Sequence, residues 1–136
     1  MPPKIIRKIG IAILQDKKIL MARSKKNTEI FYVPGGKLEQ GESDIECLKR
    51  ECKEELNVEI KTESIQYLNT FEGPAHGQPE GTLINTKLYL GEPLREPKAS
   101  SEIEEIKYFS SQDQKQLSEF AAHYIFPWLK DNNYIN

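Results

Sequence analysis

The chain is short of most features that would classify a protein at a glance. It has only two cysteines and one tryptophan in 136 residues. Cys47 and Cys52 are five positions apart, about 140° around a helix, which argues against a bond between them. With no disulfide framework to read, the cysteine usage points to a reducing compartment, the cytoplasm. No apolar run approaches the length of a membrane span, and the opening residues MPPKIIRKIGIAIL lack a signal-peptide cleavage pattern. Neither sign of charge is in excess: 19 basic against 21 acidic side chains leave a net charge of −2. That removes any general attraction for nucleic acid or an anionic membrane, so a polyanion would need a local device. Internal repeats and low-complexity linkers are also missing.

What is there reads as soluble and globular, with 38% apolar and 29% charged residues. The length suits a single domain over residues 1–136 with its own core. Residues 4–14 alternate, with Ile9, Ile11 and Ile13 on one side. Residues 15–18 read as a turn and 19–23 as a second strand, so 4–23 is expected to form a hairpin. Residues 31–33 make a short strand stopped by Pro34 and Gly35. The clearest helix is 43–56. Ser43 and Glu46 form its capping box, and Asn57 can adopt the left-handed conformation that ends it. Strands at 64–71, 82–90 and 103–109 follow. A last helix is expected from about Ser111 to Lys130, kinked before Pro127, with Leu117, Phe120, Ala121, Tyr124, Trp128 and Leu129 packed inward. This order predicts an α/β fold in which helices pack on a mixed sheet.

The segment around that first helix carries the chemistry. Gly36-x-x-x-x-Gly41 opens like a phosphate loop, but Glu42 and Ser43 follow where such a loop continues with Lys and Ser or Thr. On a helical wheel Ile45, Leu48, Cys52 and Leu56 fall within about 80° and form the expected core face. Glu51, Glu54 and Glu55 fall within about 100° on the adjoining side, with Cys47 one turn before Glu51. Like charges at these spacings cost a helix about 0.2–0.5 kcal/mol per pair, and acids near its C-terminal end oppose the dipole. Two readings stand at this point. One is a solvated acidic face, softened by Arg50 and Lys53. The other is a site for a hard divalent cation, which would supply the positive charge that the missing lysine does not.

The residues resemble the Nudix box. That pattern reads Gly36, five residues, Glu42, seven residues, Arg50-Glu51, Cys52, Lys53, Glu54-Glu55, Leu56, Asn57 and Val58 in this chain. All five charged positions match. Cys52 stands where an aliphatic residue is usual, and Asn57 where glycine is. The resemblance implies a Nudix-type α/β/α sandwich, with a mixed sheet, the catalytic helix on one side and a C-terminal helix packed on the sheet. It implies hydrolysis of a nucleoside diphosphate linked to a further group, by attack of water on phosphorus, with Mg²⁺ or alternatively Mn²⁺. Carried over, Glu51, Glu54 and Glu55 would be metal ligands with the Gly36 carbonyl. One of these glutamates, Glu51 and Glu54 foremost, or a more distant one would activate the water, Glu42 and Arg50 would pair to fix the loop on the helix, and Gly35 would lie against substrate. A further acid on a later strand is expected. Glu102 is the candidate, with Glu104 and Glu105 as rivals.

Arg23 is a candidate phosphate clamp, ahead of Lys25 and Lys26. His76 and His123 are read as a loop residue and a structural residue, respectively. Phe31, Tyr32, Tyr67, Phe71 and Tyr89 could stack on a base. The compact length is similar to that of small MutT-like members acting on nucleotides as monomer or homodimer, without nucleic acid or membrane as partner. Pro74, sixteen residues past the box, points instead toward an ADP-ribose or nucleotide-sugar pyrophosphatase. A nucleotide-binding sensor without turnover is the alternative from another class.

Overall fold

The computed structural model describes residues 4–26, 29–75 and 78–136. Along them run β1 (Ile5–Ala12), β2 (Leu14–Gln15), β3 (Lys18–Ser24), β4 (Gly35–Gly36), α1 (Asp44–Leu56), β5 (Gln66–Pro74), β6 (Leu83–Leu90), β7 (Ile103–Phe109) and α2 (Phe126–Asp131). One sheet is mixed and ordered β4-β1-β6-β5. In it β1 lies parallel to β6 from Ile5 opposite Leu83 to Ala12 opposite Leu90. The other sheet is antiparallel and ordered β2-β3-β7. Among the described residues no helix is long and apolar enough to cross a membrane.

Alternation sets the layers. Ile9, Ile11 and Ile13 point toward α1 and share a core with Leu20, Cys47, Leu48, Cys52 and Leu56. Ala12, Ile19 and Met21 point the other way, into a second core with Leu88, Phe109, Ile125, Phe126 and Leu129. Helix α1 therefore covers one side and the C-terminal segment the other, giving the α/β/α sandwich.

The expected hairpin over 4–23 holds only at its tip. Asp16 and Lys17 both have positive φ, 52° and 61°, the signature of a tight two-residue turn joining β2 to β3. Past Ala12 the chain changes sheets, so β1 pairs with β6 and β3 with β7. Residues 31–33 do not form a strand. Phe31 and Tyr32 make only single bridges, to Leu117 and Ala22.

The last helix also departs from expectation. Leu117 precedes it, and a π-helical turn, Ala121–Ile125, leads into α2. Pro127 explains the turn: its ring would press on the carbonyl four residues back. The wider turn, closed by Phe126 N–H to the Ala121 carbonyl, relieves that contact. It also shifts the buried face. Ile125 and Phe126 are buried, whereas Tyr124, expected inside, is 41% exposed.

Helix α1 begins and ends as its sequence specifies. Ser43 and Glu46 exchange both capping-box hydrogen bonds, and Asn57 sits at φ 50°, ψ 41°. The buried face is rotated, however. Ile45 is 40% exposed and Cys47 is fully buried. The wheel considered only a sheet beneath the helix, but a second surface covers it: Cys47 Sγ lies 3.6 Å from the Lys37 carbonyl, under the glycine loop.

The left-handed cap gives a direct test. Asn57→Gly should hold or slightly raise stability in chemical denaturation. Asn57→Val should cost about 1–2 kcal/mol, because a β-branched side chain without the asparagine amide's local hydrogen bonding is strained in that conformation. Equal stability of the two variants would contradict the cap.

Candidate functional site

The site is built where the glycine loop crosses α1. β4 is only Gly35–Gly36, pinned antiparallel to Ile9 and Gly10 of β1. Gly35 has φ 144°, and a β-carbon there would lie 2.0 Å from the Ile9 carbonyl oxygen. A β-carbon on Gly36 would lie 2.4 Å from Glu51 Oε2. Glycine at these two positions lets the backbone lie directly against both the strand and the helix's carboxylates.

Arg50 ties loop to helix. Its Nε and Nη2 donate to the two oxygens of Glu42 at 2.7 and 2.9 Å, its Nη1 to Glu51 at 2.6 Å, and its Nη2 also to the Lys37 carbonyl at 3.1 Å. Glu39 and Glu54 lie 3.6 Å from Nη1. The bidentate pair with Arg50 and the Glu39 N–H hold the Glu42 carboxyl down to about 2. One guanidinium thus faces four carboxylates, and Glu55 stands outside its reach.

Glu55 instead accepts the Gly35 N–H at 3.1 Å. Burial raises its pKa to about 7, and the charges of Glu51 and Glu102 add to that rise. Glu51 is raised too, again chiefly by burial and against the pull of Arg50. Glu54 is 54% exposed at its side chain, at the open edge of the group.

Glu102 reaches the group through the chain that caps α1. Lys98 and Ser100 donate their N–H groups to the Leu56 and Glu55 carbonyls, which satisfies orphan acceptors at the helix end. Two residues later Glu102 is close enough for its charge to act on Glu51, Glu55 and Tyr32. Of its rivals, Glu105 is held by Arg23 at 2.8 Å and Glu104 is exposed. That pairing, with the Phe31 ring beneath the guanidinium at 5.8 Å, also fixes Arg23. Lys25, Lys26 and His123 are exposed, and His76 lies outside the described residues.

The structure therefore gathers Gly35, Gly36, Glu42, Arg50, Glu51, Glu54, Glu55 and the charge of Glu102 around one crossing, with Arg23 paired alongside at the β3–β7 edge. Among the described residues no three acidic side chains already converge as a metal cage, because Glu51 turns to Arg50 and Glu55 to Gly35. The chemistry of the group still fits a hard divalent cation. Every available ligand is a carboxylate or carbonyl oxygen, each carboxylate keeps lone pairs beyond its hydrogen bonds, and Glu55 bonds the Gly35 N–H and not Arg50.

A cleft of about 360 Å³ opens beside this crossing. Lys8, Tyr32 and Gly35 line it nearest the acids, with Ile6, Ile84, Pro74 and Phe120 beyond. Tyr32 is the candidate stacker that faces it, whereas Phe31 and Phe71 are buried in the core. The Lys8 amine lies 5.8 Å from the Tyr32 ring centroid. Lys8 was not among the expected site residues. Its signal was its register: it shares a side of β1 with Gly10 and Ala12, on a strand otherwise apolar there.

Comparison with known proteins is consistent with this arrangement. The family model described as NUDIX domain matches residues 4–129. The NAD-capped RNA hydrolase NudC of Pseudomonas putida (strain KT2440) is 34% identical over 113 residues, 82% of this chain and 38% of that protein. The ADP-ribose pyrophosphatase of Methanocaldococcus jannaschii is 32% identical over 108 residues, 78% of this chain and 62% of that protein. The chain thus spans between 38% and 62% of the length of these two curated relatives. The crystal structure of the MutT NUDIX hydrolase from Burkholderia pseudomallei superposes with a TM-score of 0.70 and 24% identity, over 85% of this chain and 92% of that one.

Glu55 yields a pH prediction. Its folded pKa is about 7 against 4.5 for the free group, so the folded state holds the proton more tightly. Below pH 4.5 it costs nothing. The cost grows as pH rises to about 7 and is constant above. In chelator, the melting temperature of wild type should fall relative to Glu55→Gln across that window. A constant difference between the two proteins from pH 4.5 to 7.5 would contradict the buried, proton-retaining carboxyl.

Proposed function

The chain belongs to the Nudix family, and from that premise we propose that it is a divalent-metal-dependent pyrophosphohydrolase working as one domain on nucleoside diphosphates linked to a further group. The observation that carries this reading is the shared wall: Gly35 and Lys8 line an apolar cleft on one side and border the acidic helix on the other. A nucleoside in the cleft, against Tyr32, would deliver its phosphates to Glu51, Glu54 and Glu55. The names of the two curated relatives, NAD-capped RNA hydrolase and ADP-ribose pyrophosphatase, favour a dinucleotide or ADP-ribose type of substrate over a simple triphosphate. With a net charge of −2 a capped RNA would be engaged at its cap rather than along its backbone. The two buried, free thiols suit a reducing compartment such as the cytoplasm.

Glu51, Glu54 and Glu55, with the Gly36 carbonyl and Glu102 nearby, would hold Mg²⁺ or Mn²⁺. The bound metal supplies positive charge for the phosphate oxygens as the anhydride breaks. The protein does the rest. Arg50 opposes the upward push of burial on Glu51 and locks it beside Gly36. The bidentate Glu42–Arg50 pair stops the loop from lifting away from the helix. Glu54, the most exposed of the three, would accept a proton from the attacking water. The cleft walls orient the nucleoside so that the water meets phosphorus from the side of the acids.

Product release from a panel of ADP-ribose, NAD, nucleotide sugars and nucleoside triphosphates tests the reading. Turnover should require Mg²⁺ or Mn²⁺ and vanish in chelator. Glu54→Gln should lower kcat by about 10²-fold or more with little change in KM, the size expected for a lost general base. A folded protein that turns over none of these with either metal would favour the sensor alternative.

A further inference from the structure

We propose that Lys8 binds the phosphate adjoining the nucleoside, and so fixes which part of the phosphate chain reaches the acidic helix. This rests on the reading of the cleft as a nucleoside site.

Lys8 lies on β1, one residue from Ile9, which pairs with Gly36. Its side chain lines the cleft, next to Tyr32 and Gly35. Among the described residues lining the cleft it is the sole basic one, and it stands at the end nearest α1. The Tyr32 ring orients the ammonium at 5.8 Å from its centroid. Glu55 and Glu51 attract the amine from longer range. Among the described residues Lys8 closes no ion pair with either, because Glu55 is held by Gly35 and Glu51 by Arg50.

An ammonium half-buried against apolar walls is costly unless it meets an anion. A nucleoside offers none. A phosphate attached to it would arrive at this end of the cleft and accept from a compact cation with three donors. Neutralising that phosphate on the protein's own lysine would leave the metal ions to the next one along, which would set the position of cleavage. A merely structural lysine would screen Glu55 and Glu51 and nothing more.

The two roles separate in a binding experiment run in chelator. Adenosine and AMP, and guanosine and GMP, would be titrated by calorimetry into wild type, Lys8→Met and Lys8→Arg, each checked for a cooperative melt. Wild type should prefer each monophosphate to its nucleoside by about tenfold or more. Lys8→Met should lose that preference to within about twofold while keeping nucleoside affinity, and Lys8→Arg should retain most of it. A wild-type preference surviving in Lys8→Met would overturn the proposal and leave the nucleoside cleft standing. Failure of wild type to bind any of the four ligands would overturn the cleft reading and this proposal together.

Discussion

Arg50 is the interaction on which the rest depends. A glycine loop laid across a helix has little to hold it, because its backbone contributes no side chains to a core. Here one guanidinium takes both oxygens of Glu42 from the loop, one of Glu51 from the helix, and the Lys37 carbonyl between them. Its planar fork makes this geometry accessible in a way that a lysine's point charge would not. With the loop held down, Gly35 can donate to Glu55 and Gly36 can lie against Glu51. The positions of three carboxylates thus follow from one cation.

The same arrangement is electrostatically unfavourable by design. Glu51, Glu54 and Glu55 are neighbours on one helix edge, two of them near its C-terminal end, and Glu55 is buried far enough to keep its proton toward neutrality. A helix selected only for stability would not concentrate acids there. Local rules broken without local gain mark a site that serves a ligand. The apolar cleft alongside gives that ligand a second, chemically different half.

How much of this was legible in the sequence follows the range of the interactions. Helix α1 was readable because its capping box and Asn57 act within four residues. The charge pattern at 42, 50, 51, 54 and 55 was readable because it sits on one loop and one helix. The layering of β1 was readable from alternation. Strand partners were not. Nothing local says that Ile5–Ala12 pairs with residues some eighty positions later instead of with β3 beyond a tight turn. Ile45 and Cys47 were misplaced because the wheel knew of one covering surface and the loop supplied another. Tyr124 was misplaced because Pro127 widened the turn before it. Lys8 stayed hidden, and Tyr32 could not be told from the other candidate stackers, because the cleft is assembled from β1, the segment before β4, β6 and the C-terminal turn, which meet only in the folded protein.

On this reading the α1 acids and the glycine loop together hold a divalent cation. Paramagnetic Mn²⁺ added in small amounts to ¹⁵N-labelled protein measures this most directly, since it broadens amide signals near the bound ion without needing a substrate. Broadening should centre on Gly35, Gly36, Glu51, Glu54 and Glu55, extend to Glu102 and Lys8, and be reversed by chelator. Broadening centred elsewhere, or spread evenly over the acidic surface, would contradict it.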